Sequence, residues 1–421
     1  MIKRFIVSTC LLFTAVVFSQ QNNASPYSYY GVGDVKFRGT VENRSMGSLG
    51  IVPDSVHINL QNPATYSSLI FTTFTLGGST TLTKFKTDVS ESEANRTTLD
   101  YLAVGIPVSD KLGIAVGLVP YSAVGYRIQN TIVADDNTER FVRFNGEGGL
   151  NRVFAGASYK ITPGFSLGAD AQYNFGTIET KSITALPNES VQYPTRETNR
   201  AEYRGFSFNI GAVYQAKLND KYDWYTSATY TPEATLTDDT ERNIATVTFT
   251  NSGSELVIDE IDVDVPSGNV KLPSKFTFGS GIGIKTKWFA GLEYTFQESN
   301  ELGNRFDNVT SATFETGHKV ALGGYYIPKY QSYNSYFSRI TYRGGLKFEK
   351  TGLVLNDESI NDYSLSLGMG LPVNYLSSNV NLGVELGTRG TTNASLVQEN
   401  YINIFVSLSL NDRWFVKRKY N

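Results

Sequence analysis

Few residues in this chain are of a type and spacing that could do chemistry. His57 and His318 are the only two histidines in 421 residues, and the single cysteine, Cys10, lies near the start. A zinc site would have to combine both histidines with carboxylates, because no thiol is left in the body of the chain. The acidic run Asp259-Glu260-Ile261-Asp262-Val263-Asp264 offers oxygen ligands. Alternation would put Asp262 and Asp264 on one side, where they could meet a divalent cation. Asp135-Asp136 and Asp238-Asp239 are similar pairs. All three groups sit in polar stretches, where a solvated loop is the simpler reading. No Gly-x-Ser-x-Gly elbow, Walker loop or dinucleotide fingerprint stands in a strand–helix context. Gly279-Ser280-Gly281-Ile282-Gly283 falls in an alternating stretch and reads as small inward positions. No enzyme and no cofactor are expected from these residues.

The elements that would position such groups are strands. Hydrophobic residues make up 40%, charged residues only 18%, and Tyr and Phe number 26 and 25. That composition is too aromatic and too weakly charged for a disordered chain. The net charge of −3 gives no basic excess for nucleic acid. A mean hydropathy of −0.22 does not exclude a membrane protein, since a β-barrel averages an apolar outer face with a polar inner one.

Met1-Ile2-Lys3-Arg4 followed by an apolar run to Phe18 reads as a secretory signal peptide over 1–19. Removing it would remove Cys10, leaving a mature chain without cysteine. Nothing later reaches the 18 or so apolar residues that a spanning helix needs.

From about residue 68 the chain alternates with period two. Phe206, Phe208, Ile210, Ala212 and Tyr214 oppose Ser207, Asn209, Gly211, Val213 and Gln215; Leu365, Leu367 and Met369 oppose Ser364, Ser366 and Gly368. The polar face carries Asp170, Lys285, Glu293, Arg343 and Lys347, which suits a hydrated interior. Trp224-Tyr225, Trp288-Phe289 and Tyr325-Tyr326 mark interfacial girdles. Strands are expected near 68–86, 97–108, 112–129, 149–161, 165–181, 204–218, 223–238 and 274–285. Six more follow near 287–299, 318–327, 338–351, 361–373, 379–389 and 399–410. The even total of fourteen suits a single-chain bacterial barrel. Tight turns at 109–111, 162–164, 219–221 and 286 alternate with long polar loops expected at 87–96, 130–148, 182–203, 239–273 and 300–317. Short turns on one side and long loops on the other place both termini in the periplasm. The 328–337 connection is longer than that scheme explains. The expected fold class is therefore all-β, a 14-stranded antiparallel transmembrane barrel over 68–410, with a basic periplasmic tail at 411–421.

Residues 20–67 do not alternate and are long enough to fill the lumen as a plug. They carry Tyr30-Gly31-Val32-Gly33-Asp34, then Met46-Gly47, Asp54 and Asn62-Pro63-Ala64 just before the first strand. That order of features resembles the FadL family of outer-membrane transporters, and the Asn-Asp-Arg-Trp-Phe ending resembles its Bacteroidetes-type members. The resemblance implies a hatch formed by the N-terminal segment, with Asn62, Pro63 and Ala64 in it. It also implies a lateral passage at a kink in the third strand. Val119-Pro120-Tyr121-Ser122 falls there, and a proline in a paired strand marks a bulge or an opening. The implied function is passive uptake of a hydrophobic small molecule or acyl chain from the outer-membrane lipid environment. A second reading is a non-transporting accessory subunit of an envelope secretion or lipopolysaccharide-export complex, partnered by other envelope proteins.

Overall fold

Alternation with β-branched and aromatic residues on one face builds strands, and in the computed structural model they close into one ring. The structure describes residues 23–133, 139–186, 193–299, 312–332, 334–373 and 378–414. The signal peptide at 1–19, Asp135-Asp136 and the tail from 415 lie outside the described residues.

The fourteen barrel strands, in chain order, are β1 (Thr72–Lys86), β2 (Glu91–Pro107), β3 (Leu112–Val133), β4 (Glu139–Thr162), β5 (Phe165–Ala185) and β6 (Thr195–Lys217). β7 runs over Asp223–Thr231 and Ala234–Phe249, broken at Pro232, and β8 over Glu255–Val263, Gly268–Leu272 and Ser274–Ile284. They are followed by β9 (Trp288–Glu298), β10 (Ala312–Phe314 and Gly317–Tyr326), β11 (Thr341–Leu355), β12 (Glu358–Pro372), β13 (Asn379–Arg389) and β14 (Gln398–Asp412). Every neighbouring pair is antiparallel. β14 closes on β1 from Asp412↔Thr72 to Gln398↔Lys86. The barrel begins at Thr72, because Pro63–Ser68 form a 3₁₀ turn.

The outer surface is a continuous apolar wall. Phe206, Phe208, Ile210, Leu365, Leu367, Ile404 and Val406 are all exposed, while Ser207, Asn209, Ser366 and Asn403 on the opposite face are buried. A soluble protein does not leave so large an apolar surface in water, so this face meets lipid. The aromatic pairs split by parity. Trp224 and Tyr326 face outward, whereas Tyr225, Phe289 and Tyr325 pack together inside with Met46, Leu49 and Ile51. Asp170, Glu293, Arg343 and Lys347 point inward as expected, but Lys285 stands exposed in the turn between β8 and β9.

The expected long loops at 130–148, 182–203 and 239–273 are mostly strand. β3 to β6 are 22, 24, 21 and 23 residues long, against 11 for β9 and for β13. β7 and β8 continue upward as a hairpin that turns at Thr250–Ser254. One side of the barrel therefore rises as a tall sheet. Outside a bilayer the outer face of a strand need not be apolar, so these extensions lack the strong alternation that reveals a strand. At 87–96 only a tight turn around Thr87 and Ser90 separates β1 from β2. The 328–337 connection contains the start of a short 3₁₀ turn at Phe337–Arg339.

The outward placement of Leu367 predicts that Leu367→Arg costs about 2–4 kcal/mol of barrel stability, as a cation on the lipid face does. Urea unfolding in lipid vesicles measures it. A cost below about 1 kcal/mol would place this residue outside the apolar belt.

Candidate functional site: a split in the barrel wall

β2 and β3 pair over only six residues, Leu102–Pro107 with Gly113–Leu118. Below this point the wall is regular; above it the two strands part. β2 goes on pairing with β1 as far as Glu91, and β3 goes on pairing with β4 as far as Val133. Each strand is bulged where they separate. The β2 register skips Asp100, between Tyr101 and Leu99, and the β3 register skips Tyr121, between Pro120 and Ser122. A bulge bends a strand and re-aims its side chains. Pro120, which cannot donate to a ladder, sits beside the second bulge.

The consequence appears in burial. Before Pro120 the alternation is normal; after it, Ser122, Ala123, Val124 and Tyr126 are all buried, so both faces of β3 are covered. The cover is the N-terminal segment, residues 23–70. Asp34–Val35 form a two-residue strand against β3, with Asp34↔Ala123 and Val35↔Ser122. Lys36 N–H donates to the Tyr121 carbonyl at 2.9 Å, and Ser122 Oγ donates to the Val32 carbonyl at 2.7 Å. Asn23 spans the split: its Nδ2 donates to the Ala123 carbonyl of β3 at 3.0 Å, and its own carbonyl accepts from Arg96 Nε of β2 at 3.1 Å. The Arg152 guanidinium lies 4.4 Å from the centre of the Tyr121 ring.

Asn62, Pro63 and Ala64 do not touch the split. They dock the other end of the segment on the inner wall at β5 and β6, a few strands along from the split. Asn62 Oδ1 caps the 3₁₀ turn by accepting from Ala64 N–H at 3.0 Å, while its Nδ2 donates to the Ala212 carbonyl of β6 at 3.1 Å. Asn62 and Pro63 lie directly against Gly211 and Gly168 on the inner wall, and a Cβ at either glycine would collide with them. The six expected site residues thus form two groups, the docking motif and the split. Asn23, the Asp34–Val35 strand, Arg96 and the bulge at Asp100 escaped the sequence reading. Inward glycines opposite a rigid Asn-Pro were the one signal that could have located the docking point.

Ion pairs tie the segment to the wall around the circumference. Arg38 meets buried Asp170 of β5 at 2.8 Å, and Arg44 lies 3.2 Å from Asp100 and 3.5 Å from Glu385. Asp34 is held by Arg389 at 2.7 Å. His57 contacts Asp54 at 2.8 Å and Glu42 at 3.6 Å, in a short stretch that also contains the helix α1 (Val41–Arg44). Burial disfavours a charged imidazole, but the two carboxylates outweigh it, and the His57 pKa is raised. Above the segment lies a cavity of about 410 Å³, bordered by Pro120 and Tyr121 and carrying charges that include Arg38, Arg152, Lys275 and Glu293. Asp262 is placed far from it, accepting from Asn243 at 2.9 Å, with Asp264 exposed. Among the described residues no three His, Cys, Asp or Glu side chains could share a metal ion.

The family model described as BamG matches residues 1–421. The chain belongs to the BamG family. A search of curated proteins gives no match to its sequence. In fold this BamG-family chain is similar to the Pseudomonas putida toluene transporter TodX, with TM-score 0.59 at 16% identity over 90% of this chain and 100% of that one. It is similar to the Ralstonia pickettii toluene transporter TbuX as well (TM-score 0.58, 13% identity, 89% and 99% covered). A FadL homologue of Pseudomonas aeruginosa gives TM-score 0.58 at 12% identity, with 90% and 98% covered. The FadL-like barrel architecture expected from the sequence is the one this BamG-family chain has.

Two outcomes follow for the segment. Gly168→Val puts a branched side chain where the Pro63 carbonyl lies, so the barrel should form while residues 23–70 become sensitive to added protease. An unchanged digestion pattern would contradict this docking point. The His57 contribution has a defined sign. A raised imidazole pKa gives stability that is complete below the ordinary value of about 6.5 and is lost as pH rises through the raised value. His57→Gln should therefore lower the thermal unfolding midpoint more at pH 5.5 than at pH 9.

Proposed function

We propose that this barrel resides in the outer membrane and passes a hydrophobic small molecule from the outside to the bilayer through the split between β2 and β3. In this reading the short-turn end and both termini face the periplasm, and residues 23–70 act as the plug that must yield. The observation that carries it is the end of β2–β3 pairing at Leu118, beside a bulge at Tyr121 and next to the cavity. Six paired residues on tilted strands climb roughly 16 Å, short of the ~25 Å apolar belt of such barrels. The split thus opens at a depth where lipid, not water, lies outside. An apolar ligand leaving there avoids re-entering water, and burial of its surface favours that exit. The fold shared with proteins named as toluene transporters supports the class of ligand.

One observation favours the second reading, a non-transporting accessory subunit of an envelope complex. Ligand pockets for apolar molecules are mostly apolar with a few placed polar groups. This cavity instead carries many charged side chains, and the plug is fastened by ion pairs on several strands.

The test is uptake of radiolabelled toluene and of a long-chain fatty acid into cells or vesicles carrying the protein. Val35→Cys with Ser122→Cys places two thiols at paired positions between the N-terminal segment and the β3 lip of the split, so that oxidation locks the plug there. Uptake by the natural chain that falls severalfold when this pair is oxidised, and returns on reduction, supports lateral exit. Uptake no greater than in barrel-free controls leaves the accessory reading standing.

A further inference from the structure

Among the described residues, the tall side of the barrel ends in a strand edge with no strand beside it. The upper part of β8, Glu255–Val263, pairs with β7 on one side, from Glu255↔Phe249 to Val263↔Arg242. On its other side β9 pairs only with Ser274–Ile284, so among the described residues no backbone covers Glu255–Val263 there. Val263 stands 21 positions above Ile284, and at ~2.5 Å of rise per tilted residue that is well beyond a ~25 Å apolar belt. Its apolar side chains therefore have no lipid to face. Yet Leu256, Val257, Ile258 and Ile261 are 53%, 46%, 50% and 64% exposed. A register shift between Val257 and Asp259 makes Ile258 the bulged residue.

Charge sets the chemistry of what fits. Asp259, Glu260, Asp262 and Asp264 cluster on the same stretch, and among the described residues Glu260 alone of the four lies within ion-pair distance of a cation, Arg196 at 3.7 Å. Charges and bulges are usual guards on an edge strand, and this edge has both. It nevertheless exposes three consecutive apolar residues, Leu256-Val257-Ile258. A second copy of this chain would set carboxylates against carboxylates, and an anionic membrane surface would be repelled as well.

We propose that the free edge of Glu255–Val263 docks a partner protein by strand addition, and that the added segment is extended, apolar on one face and rich in Lys or Arg. Main-chain hydrogen bonds supply affinity in this mode, and alternate side chains supply specificity. The site lies far from the split and is independent of whether the barrel transports anything.

The experiment uses the full chain in detergent micelles with three short synthetic peptides. One alternates valine and lysine, one alternates valine and glutamate, and one is the lysine peptide N-methylated on alternate residues along its hydrogen-bonding edge. Backbone amide exchange over 255–263 is followed by mass spectrometry. The lysine peptide should slow exchange there by about ten-fold while leaving β12–β14 unchanged, and the other two should not. Replacing Asp259, Glu260, Asp262 and Asp264 together by lysine should transfer the preference to the glutamate peptide, which a misfolded variant could not do. Equal protection by all peptides, or by none, overturns the proposal. Protection by phosphatidylglycerol vesicles alone also overturns it, in favour of a membrane contact.

Discussion

Inside a bilayer every backbone N–H and C=O must find a partner within the protein, because lipid offers none. A closed ring of strands meets that demand by itself, and apart from a gap in β6–β7 pairing between Ile210 and Arg204 most seams here do so along the wall. The β2–β3 seam does not. It ends at Leu118, while the apolar wall continues, and the exposed backbone of β3 needs partners from elsewhere. Residues 23–36 supply them. Asp34–Val35 add a short strand, Lys36 N–H takes the Tyr121 carbonyl, Ser28 Oγ accepts from Gly125 N–H, and Asn23 bridges to β2. The placement of the N-terminal segment follows from the defect it repairs.

That constraint fastens the segment to the barrel wall. Once residues 23–36 are held in the seam, the remaining thirty or so must cross the lumen to reach β1. They do so with a buried apolar face, Leu49, Ile51, Ile58, Leu60 and Tyr66, and with ion pairs to the inner wall. Each fully buried side chain of this kind contributes on the order of 1.5–3 kcal/mol. Asn62 and Pro63 finish the crossing against Gly168 and Gly211, where a larger residue would leave no room. Several charged groups of the lumen, Asp170, Glu385 and Arg389 among them, are thereby committed to fastening the segment, which limits how apolar the cavity above it can be.

The barrel was legible in the sequence wherever lipid forces one face to be apolar. Phe206 to Tyr214, Leu365 to Met369 and Ile402 to Leu410 announce themselves by alternation, and the count of fourteen strands follows from them. The extensions of β3 to β8 read as loops because above the bilayer the outer face need not be apolar; Thr195–Arg200 and Asp238–Asn243 are polar throughout. Pro120 revealed one of the two bulges, since proline cannot sit in a ladder. Asp100 carried no comparable mark, and nothing local in Asn23 or Asp34 announces a partner some ninety residues away in β3. Those contacts are set by the ring as a whole.

The central claim is that residues 23–67 seal an otherwise open wall and lumen. Single-channel conductance in planar bilayers tests it most directly, comparing the full chain with one lacking 23–67. The account predicts a silent full-length barrel and a steadily conducting truncated one. A truncated barrel that inserts, stays folded and remains silent would contradict it, as would a full-length chain that conducts as freely as the truncated form.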